Sequence, residues 1–199
     1  MKKFLSVILI GAALTAVSQP KKAPKMAPIT AEGYYLGKKN DTIRGEIRTN
    51  PDDETEFYNV FYYKTASKPK LAAFDTKKTK GYGFDGRNFI SMPYEGGEIF
   101  VERLAQGRLN FYEYKFNGKV DGYPGIESVY FMQDTRAEGE NAGLKEIKKI
   151  STKFYKKDLK PYMTDQLMIW TDLDKFTFNK ANVIKAINEF NSFYEVSAN

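Results

Sequence analysis

Residues 33–48 read GYYLGKKNDTIRGEIR, and this stretch decides the fold class. Tyr34, Tyr35 and Leu36 run into an Asn40-Asp41 turn dipeptide, after which polar Thr42, Arg44, Glu46 and Arg48 alternate with Ile43, Gly45 and Ile47. Successive side chains on a strand point to opposite faces, so a period of two beyond a turn predicts an antiparallel hairpin with one wet and one buried face. Asn50-Pro51-Asp52-Asp53 breaks the pattern. The run 57–64 then carries Phe57, Tyr58, Phe61, Tyr62 and Tyr63, which predicts a strand contacted on both faces.

Further strands are expected at 70–74, 88–92, 99–104, 109–116 and 128–133, with Ala105-Gln106-Gly107-Arg108 as a tight hairpin. Gly81, Gly83, Gly86, Gly96-Gly97, Asn117-Gly118 and Asp121-Gly122 punctuate the gaps. After Gly143 the period changes. Tyr155, Leu159 and Tyr162 are spaced i, i+4, i+7, with Pro161 expected to kink or restart that helix. Val183, Ile187, Phe190 and Tyr194 form a cleaner helical stripe, with Thr177 or Asn179 available as N-cap. The expected fold is α+β and mostly β. It is an antiparallel meander or partly open barrel, followed by one or two C-terminal helices, in a single domain over 32–199.

The amino terminus predicts export. Lys2 and Lys3 precede an apolar run from Phe4 to Leu14, shorter than the roughly 20 residues of a spanning helix. Ala16 and Ser18 then form an A-x-S cleavage site, so residues 1–18 read as a signal peptide and the mature chain as beginning at Gln19. No Cys follows the apolar run, which excludes a lipoprotein anchor. Loss of Lys2 and Lys3 takes the formal charge from +6 to +4. Residues 19–31 place Pro20, Pro24 and Pro28 among Lys21, Lys22 and Lys25, an extended, solvated arm. The expected location is periplasmic or secreted, not integral to the membrane.

Three segments carry a resemblance: the opening hairpin already quoted, FVERLAQGRLNFYEY at 100–114, and FYKKDLKPYMTDQ (154–166) with FNKANVIKAINEFNSFY (178–194). Together they resemble a family of exported, mostly uncharacterised Bacteroidota proteins with a DTI-x-G-x-I start and an aromatic-rich C-terminal helix. A cut directly before Gln is likewise similar to exported proteins of that phylum. The resemblance implies compartment and fold rather than activity. Members often carry a Cys after the Asp of the penultimate helix; Gln166 follows Asp165 here, so nothing dependent on such a Cys carries over.

Composition removes most chemistry. The 199 residues contain neither Cys nor His, which excludes disulfides, thiolate or imidazole zinc sites, a haem His ligand and Ser-His-Asp or Cys-His catalysis. Gly81-x-Gly83-x-x-Gly86 fits a phosphate-binding pattern, but a strand rather than a helix is expected after it. Ser67-x-x-Lys70 contains Pro69 and lacks the partner motifs of a serine acyltransferase. Glu102 with Glu113, or Asp172 with Asp174, could be drawn as a hydrolase pair, though alternation puts Glu102 and Glu113 on the wet face of a hairpin. Asp52-Asp53-Glu54 lacks calcium-loop spacing. No cofactor, metal or catalytic residue is assigned.

Two surfaces remain as candidates for a partner or ligand. Tyr58, Tyr62 and Tyr112 could stack on a glycan or lipid. The segment 145–160 holds seven lysines against Glu146 and Asp158, and its Lys149, Lys153, Lys156 and Lys157 could meet an anionic partner. Export makes nucleic acid an unavailable partner and favours lipid, glycan or protein. The expected function is a non-catalytic exported interaction protein, an accessory subunit of an outer-membrane or secretion complex with a protein partner in the cell envelope. A glycan- or lipid-binding β module is the alternative, and a carboxylate-dependent hydrolase stands third.

Overall fold

The computed structural model describes residues 28–195. The expected signal peptide and the arm up to residue 27 lie outside the described residues. Ten strands form one antiparallel sheet: β1 (Ile29–Leu36), β2 (Thr42–Thr49), β3 (Phe61–Thr65), β4 (Lys68–Phe74), β5 (Gly81–Phe84), β6 (Arg87–Tyr94), β7 (Gly97–Ala105), β8 (Leu109–Val120), β9 (Tyr123–Asp134) and β10 (Lys148–Ile150). Three short helices follow, α1 (Tyr155–Leu159), α2 (Leu167–Asp174) and α3 (Lys180–Glu195). The chain is thus α+β and mostly β, as the alternation predicts. β1 takes in residues 29–31, the last part of the expected arm.

The spatial order is β10-β9-β8-β7-β6-β5-β1-β2-β3-β4, two meanders joined by the crossing 75–80 from β4 to β5. Six residues reach about 20 Å, barely the four strand spacings of about 4.8 Å that separate β4 from β5 in a flat sheet. The sheet instead curls. Phe61 of β3 stacks on Tyr82 of β5 at 4.0 Å and meets the edge of Phe100 of β7 at 5.9 Å, although β3 and β7 lie five places apart. Close approach of the strands requires glycine at Gly33, where a Cβ would stand 2.5 Å from the Gly83 carbonyl oxygen and 2.9 Å from Ile47.

Three two-residue loops pin the register. Asp85-Gly86, Glu95-Gly96 and Asp121-Gly122 all have positive φ at both positions, the mirror-image turns that match strand twist. Asp85-Gly86 is therefore a hairpin turn in the G-x-G-x-x-G stretch, followed by a strand and not by a phosphate-binding helix. Asn117-Gly118, expected as a turn, lies inside β8; folding at Asp121-Gly122 instead adds the four cross-strand pairs from Asn117↔Ile126 to Val120↔Tyr123. Phe57 and Tyr58 are not in a strand either. They end a 3-10 turn, Glu54–Tyr58, whose N-cap Asp53 accepts from the Thr55 amide at 3.1 Å and the Thr55 hydroxyl at 2.6 Å.

Two apolar clusters fill the inner face of the sheet. One holds Phe57, Tyr58, Phe61, Tyr82, Phe89 and Phe100 inside the curl. The other lies beneath the helices, where Val183, Ile187 and Phe190 of α3 meet Leu109, Phe111 and Met132. Burial of each such α3 side chain contributes about 2 kcal/mol. Asn179 caps α3 by accepting from the amides of Ala181 and Asn182 at 2.9 and 3.3 Å, and Pro161 restarts the chain as a 3-10 turn after α1. A smaller cluster of Met92, Val101, Tyr112 and Phe131 lies on the opposite face.

Candidate functional site

Between the two inner clusters the sheet carries charge. Glu102 of β7 and Glu113 of β8 are cross-strand partners, and Glu102 faces Phe89 on its other side. They are not on a wet face: their side chains are 13% and 2% exposed. The 3-10 turn and α3 cover this part of the sheet, a long-range fact that strand alternation does not contain. Glu102 accepts from Arg87 Nε at 2.8 Å, Arg87 Nη2 at 2.6 Å and the Tyr58 hydroxyl at 3.0 Å. Glu113 accepts from Ser128 Oγ at 2.8 Å and Lys180 Nζ at 3.0 Å, with Lys115 Nζ at 4.0 Å. Lys115 turns mainly to Glu54 at 2.7 Å, which also faces Arg87.

These contacts set the electrostatics. Burial works against ionisation of Glu102, but the hydrogen bonds and charge of Arg87, with Tyr58 and Lys115, outweigh it and hold the carboxyl below its ordinary range. Burial first, and then the charges of Glu102 and Glu113, push the Tyr58 phenol far above its usual value. The phenol stays neutral and acts only as a donor. Both carboxyl groups accept hydrogen bonds from the protein itself, an arrangement suited to tying the 3-10 turn, the sheet and α3 together. A general acid or nucleophile needs a carboxyl within reach of substrate.

A second polar junction closes the other end. Arg108, in the β7–β8 turn, pairs with Asp134 at 3.2 Å and Asp165 at 2.9 Å and lies 4.3 Å from the Tyr194 ring centroid. The Asn191 side chain accepts from the Leu109 amide at 2.8 Å and donates to its carbonyl at 2.9 Å, acting as a short length of extra strand. A Cβ on Gly107 would stand 2.5 Å from Asn191 Cγ. Residues from the 100–114, 154–166 and 178–194 segments thus meet at one point. Their motifs read as the parts of a helix-docking joint.

The tyrosine surface expected from the sequence is absent. Tyr58 and Tyr112 are 0% and 2% exposed, and Tyr82 is equally buried, so none of them can stack on a ligand. Tyr62 is half-buried beneath the Arg48 guanidinium at 3.7 Å. The four candidate lysines do not converge. Lys149 lies over Tyr94 on β6, Lys153 over its neighbour Phe154, and Lys156 pairs with Asp174, while Lys157 is exposed on α1. Asp172 pairs with Lys175, so the Asp172-x-Asp174 motif is also occupied. Among the described residues, no group of three or more acidic side chains is arranged to hold a metal ion.

What is left accessible is different. β8 and β9 continue past Glu113, the last β8 residue toward their tip that pairs with β7, and the tip exposes Val120, Tyr123 and Ile126, Tyr123 to 75%. A groove of about 390 Å³ runs between α2 and α3 over Ile169, Leu173 and Ala186. A slot of about 230 Å³ behind β4 has Tyr35, Ile43, Tyr63 and Phe74 among its walls. No helix among the described residues is long and apolar enough to cross a membrane. Comparison with protein-family models, curated proteins and solved structures returns no match in any of the three.

Proposed function

We propose that this protein is a non-catalytic exported interaction protein, an accessory subunit of an outer-membrane or secretion complex that works in the periplasm after cleavage near Ser18-Gln19. The observation that carries the reading is the β8–β9 hairpin, which extends beyond its pairing with β7 and holds Val120, Tyr123 and Ile126 in solvent. Apolar side chains grouped at a projecting tip are inexpensive to desolvate against a partner, and tyrosine is among the residues enriched in interface cores. The self-satisfied state of Glu102 and Glu113 further favours binding over hydrolysis.

Affinity capture from detergent-solubilised envelopes tests it. The wild-type protein should recover a membrane complex, and Tyr123→Ser combined with Val120→Ser should lose it without loss of fold. Recovery of no membrane partner, or equal recovery by the double variant, rules the reading out. Mass spectrometry of the purified envelope protein should place its amino terminus at Gln19.

A further inference from the structure

The two lysine-bearing segments that the sheet brings together are far apart in sequence. The β1–β2 turn supplies Lys38 and Lys39, and the crossing 75–80 supplies Lys77, Lys78 and Lys80. They are held side by side: Lys38 Nζ donates to the Thr76 carbonyl at 2.8 Å, Lys80 Nζ to Asn40 Oδ1 at 2.8 Å, and the Lys80 amide to the Leu36 carbonyl at 2.9 Å. Thr76 and Thr79 are buried, and the Thr79 hydroxyl bonds the carbonyls of Leu36 and Gly81. The crossing is therefore anchored from beneath, and its lysines are exposed, Lys78 Nζ donating to the Ala73 carbonyl at 2.7 Å.

The edge strand β4 extends this surface. Lys68 and Lys70 share a face of β4 with Phe74, and Lys78 Nζ lies 5.8 Å over the Phe74 ring. All seven lysines are exposed, and none forms an ion pair with a described residue, whereas Lys64, Lys115, Lys156, Lys175 and Lys180 all do. The acidic residues of these segments are Asp41 and Asp75. Behind this edge opens the aromatic slot of Tyr35, Tyr63 and Phe74, with Lys68 and Lys70 at its rim. Tyr63 is 5% exposed, and its hydroxyl has no hydrogen-bond partner.

We infer that this edge of the sheet docks on an anionic membrane surface, its seven lysines meeting lipid phosphates and the aromatic slot receiving the apolar part of one lipid. Charge complementarity carries the inference. Uncompensated lysines held on anchored backbone attract an anionic leaflet at close range, and the attraction falls off within a Debye length. This surface shares no residue with the β8–β9 tip, so either can fail while the other stands.

Co-sedimentation of the purified protein with phosphatidylglycerol vesicles and with phosphatidylcholine vesicles tests the inference. Binding is expected to phosphatidylglycerol only, weakening as salt rises. At roughly fivefold per lysine, reversal of Lys77, Lys78 and Lys80 to Glu should weaken it more than about a hundredfold. Lys38→Glu with Lys39→Glu, on a separate element, should weaken it in the same direction and keeps the test open if the first variant does not fold. Lys153→Glu with Lys157→Glu should leave it unchanged. Equal binding to both vesicles, no binding to either, or binding lost with Lys153 and Lys157 instead overturns the proposal.

Discussion

Glu102 accepts from three donor atoms on two side chains, so neutralising it strands a guanidinium that is itself packed against Phe57, Phe84 and Phe89. Breaking a largely buried pair from one side costs about 3 kcal/mol, reduced here because Arg87 keeps 25% of its side chain in solvent and a weak contact with Glu54. Glu102→Gln should therefore lower unfolding stability by about 2 kcal/mol at neutral pH, read from the denaturant midpoint. The same carboxylate sets a pH dependence. Its folded pKa lies below the unfolded value, so its contribution is complete above the ordinary glutamate range and is lost as pH falls through the folded value. Stability of the wild type should drop over that acid window, and the drop should be smaller in Glu102→Gln. Alternation along β7 and β8 places these two glutamates on a common face of the sheet. Whether that face is wet depends on what else lies over it, which the local pattern does not record.

Among the elements, the edge strand β4 shows how an open sheet avoids pairing with its own copies. Its seven residues, KPKLAAF, put Pro69 and two lysines on an otherwise unpaired edge. Proline removes a donor and lysine resists burial, both of which obstruct the addition of a strand. Pro69→Val together with Lys70→Val should raise concentration-dependent aggregation, measured by light scattering, while the monomer keeps its circular dichroism. Most strands and α3 were legible because each repeats a simple period; β5 was not, because its Gly81 and Gly83 read as turn punctuation, nor was the three-residue β10, too short to show a period. α2 was not, since Leu167 and Met168 at its start face solvent while Ile169 and Leu173 are buried, and no side chain caps it. The 3-10 turn Glu54–Tyr58 was missed because its aromatic residues resemble a strand; Asp53 two residues before Thr55 was the available signal.

At the scale of the molecule, the curl brings β3 against β5 and β7 and lets a six-residue crossing connect the two meanders. The pairing of β1 with β5 depends on close backbone approach at Gly33, where any side chain meets the Gly83 carbonyl, a group that cannot turn aside without breaking the ladder. Gly33→Val should abolish the cooperative thermal transition or shift it down by roughly 6–12 °C, since overpacking at fixed backbone costs roughly 3 kcal/mol. The sequence by itself determined the strand periods, the hairpin dipeptides, the α3 stripe and the excluded chemistries, because each follows from neighbouring residues or from composition. Only the tertiary structure decided that Tyr58, Tyr82 and Tyr112 are core, that the side chains of Glu102 and Glu113 are buried, and that Lys38 and Lys39 lie beside Lys77, Lys78 and Lys80. Burial and charge neighbourhood are set by contacts between residues tens of positions apart, and the curl of the sheet selects those contacts.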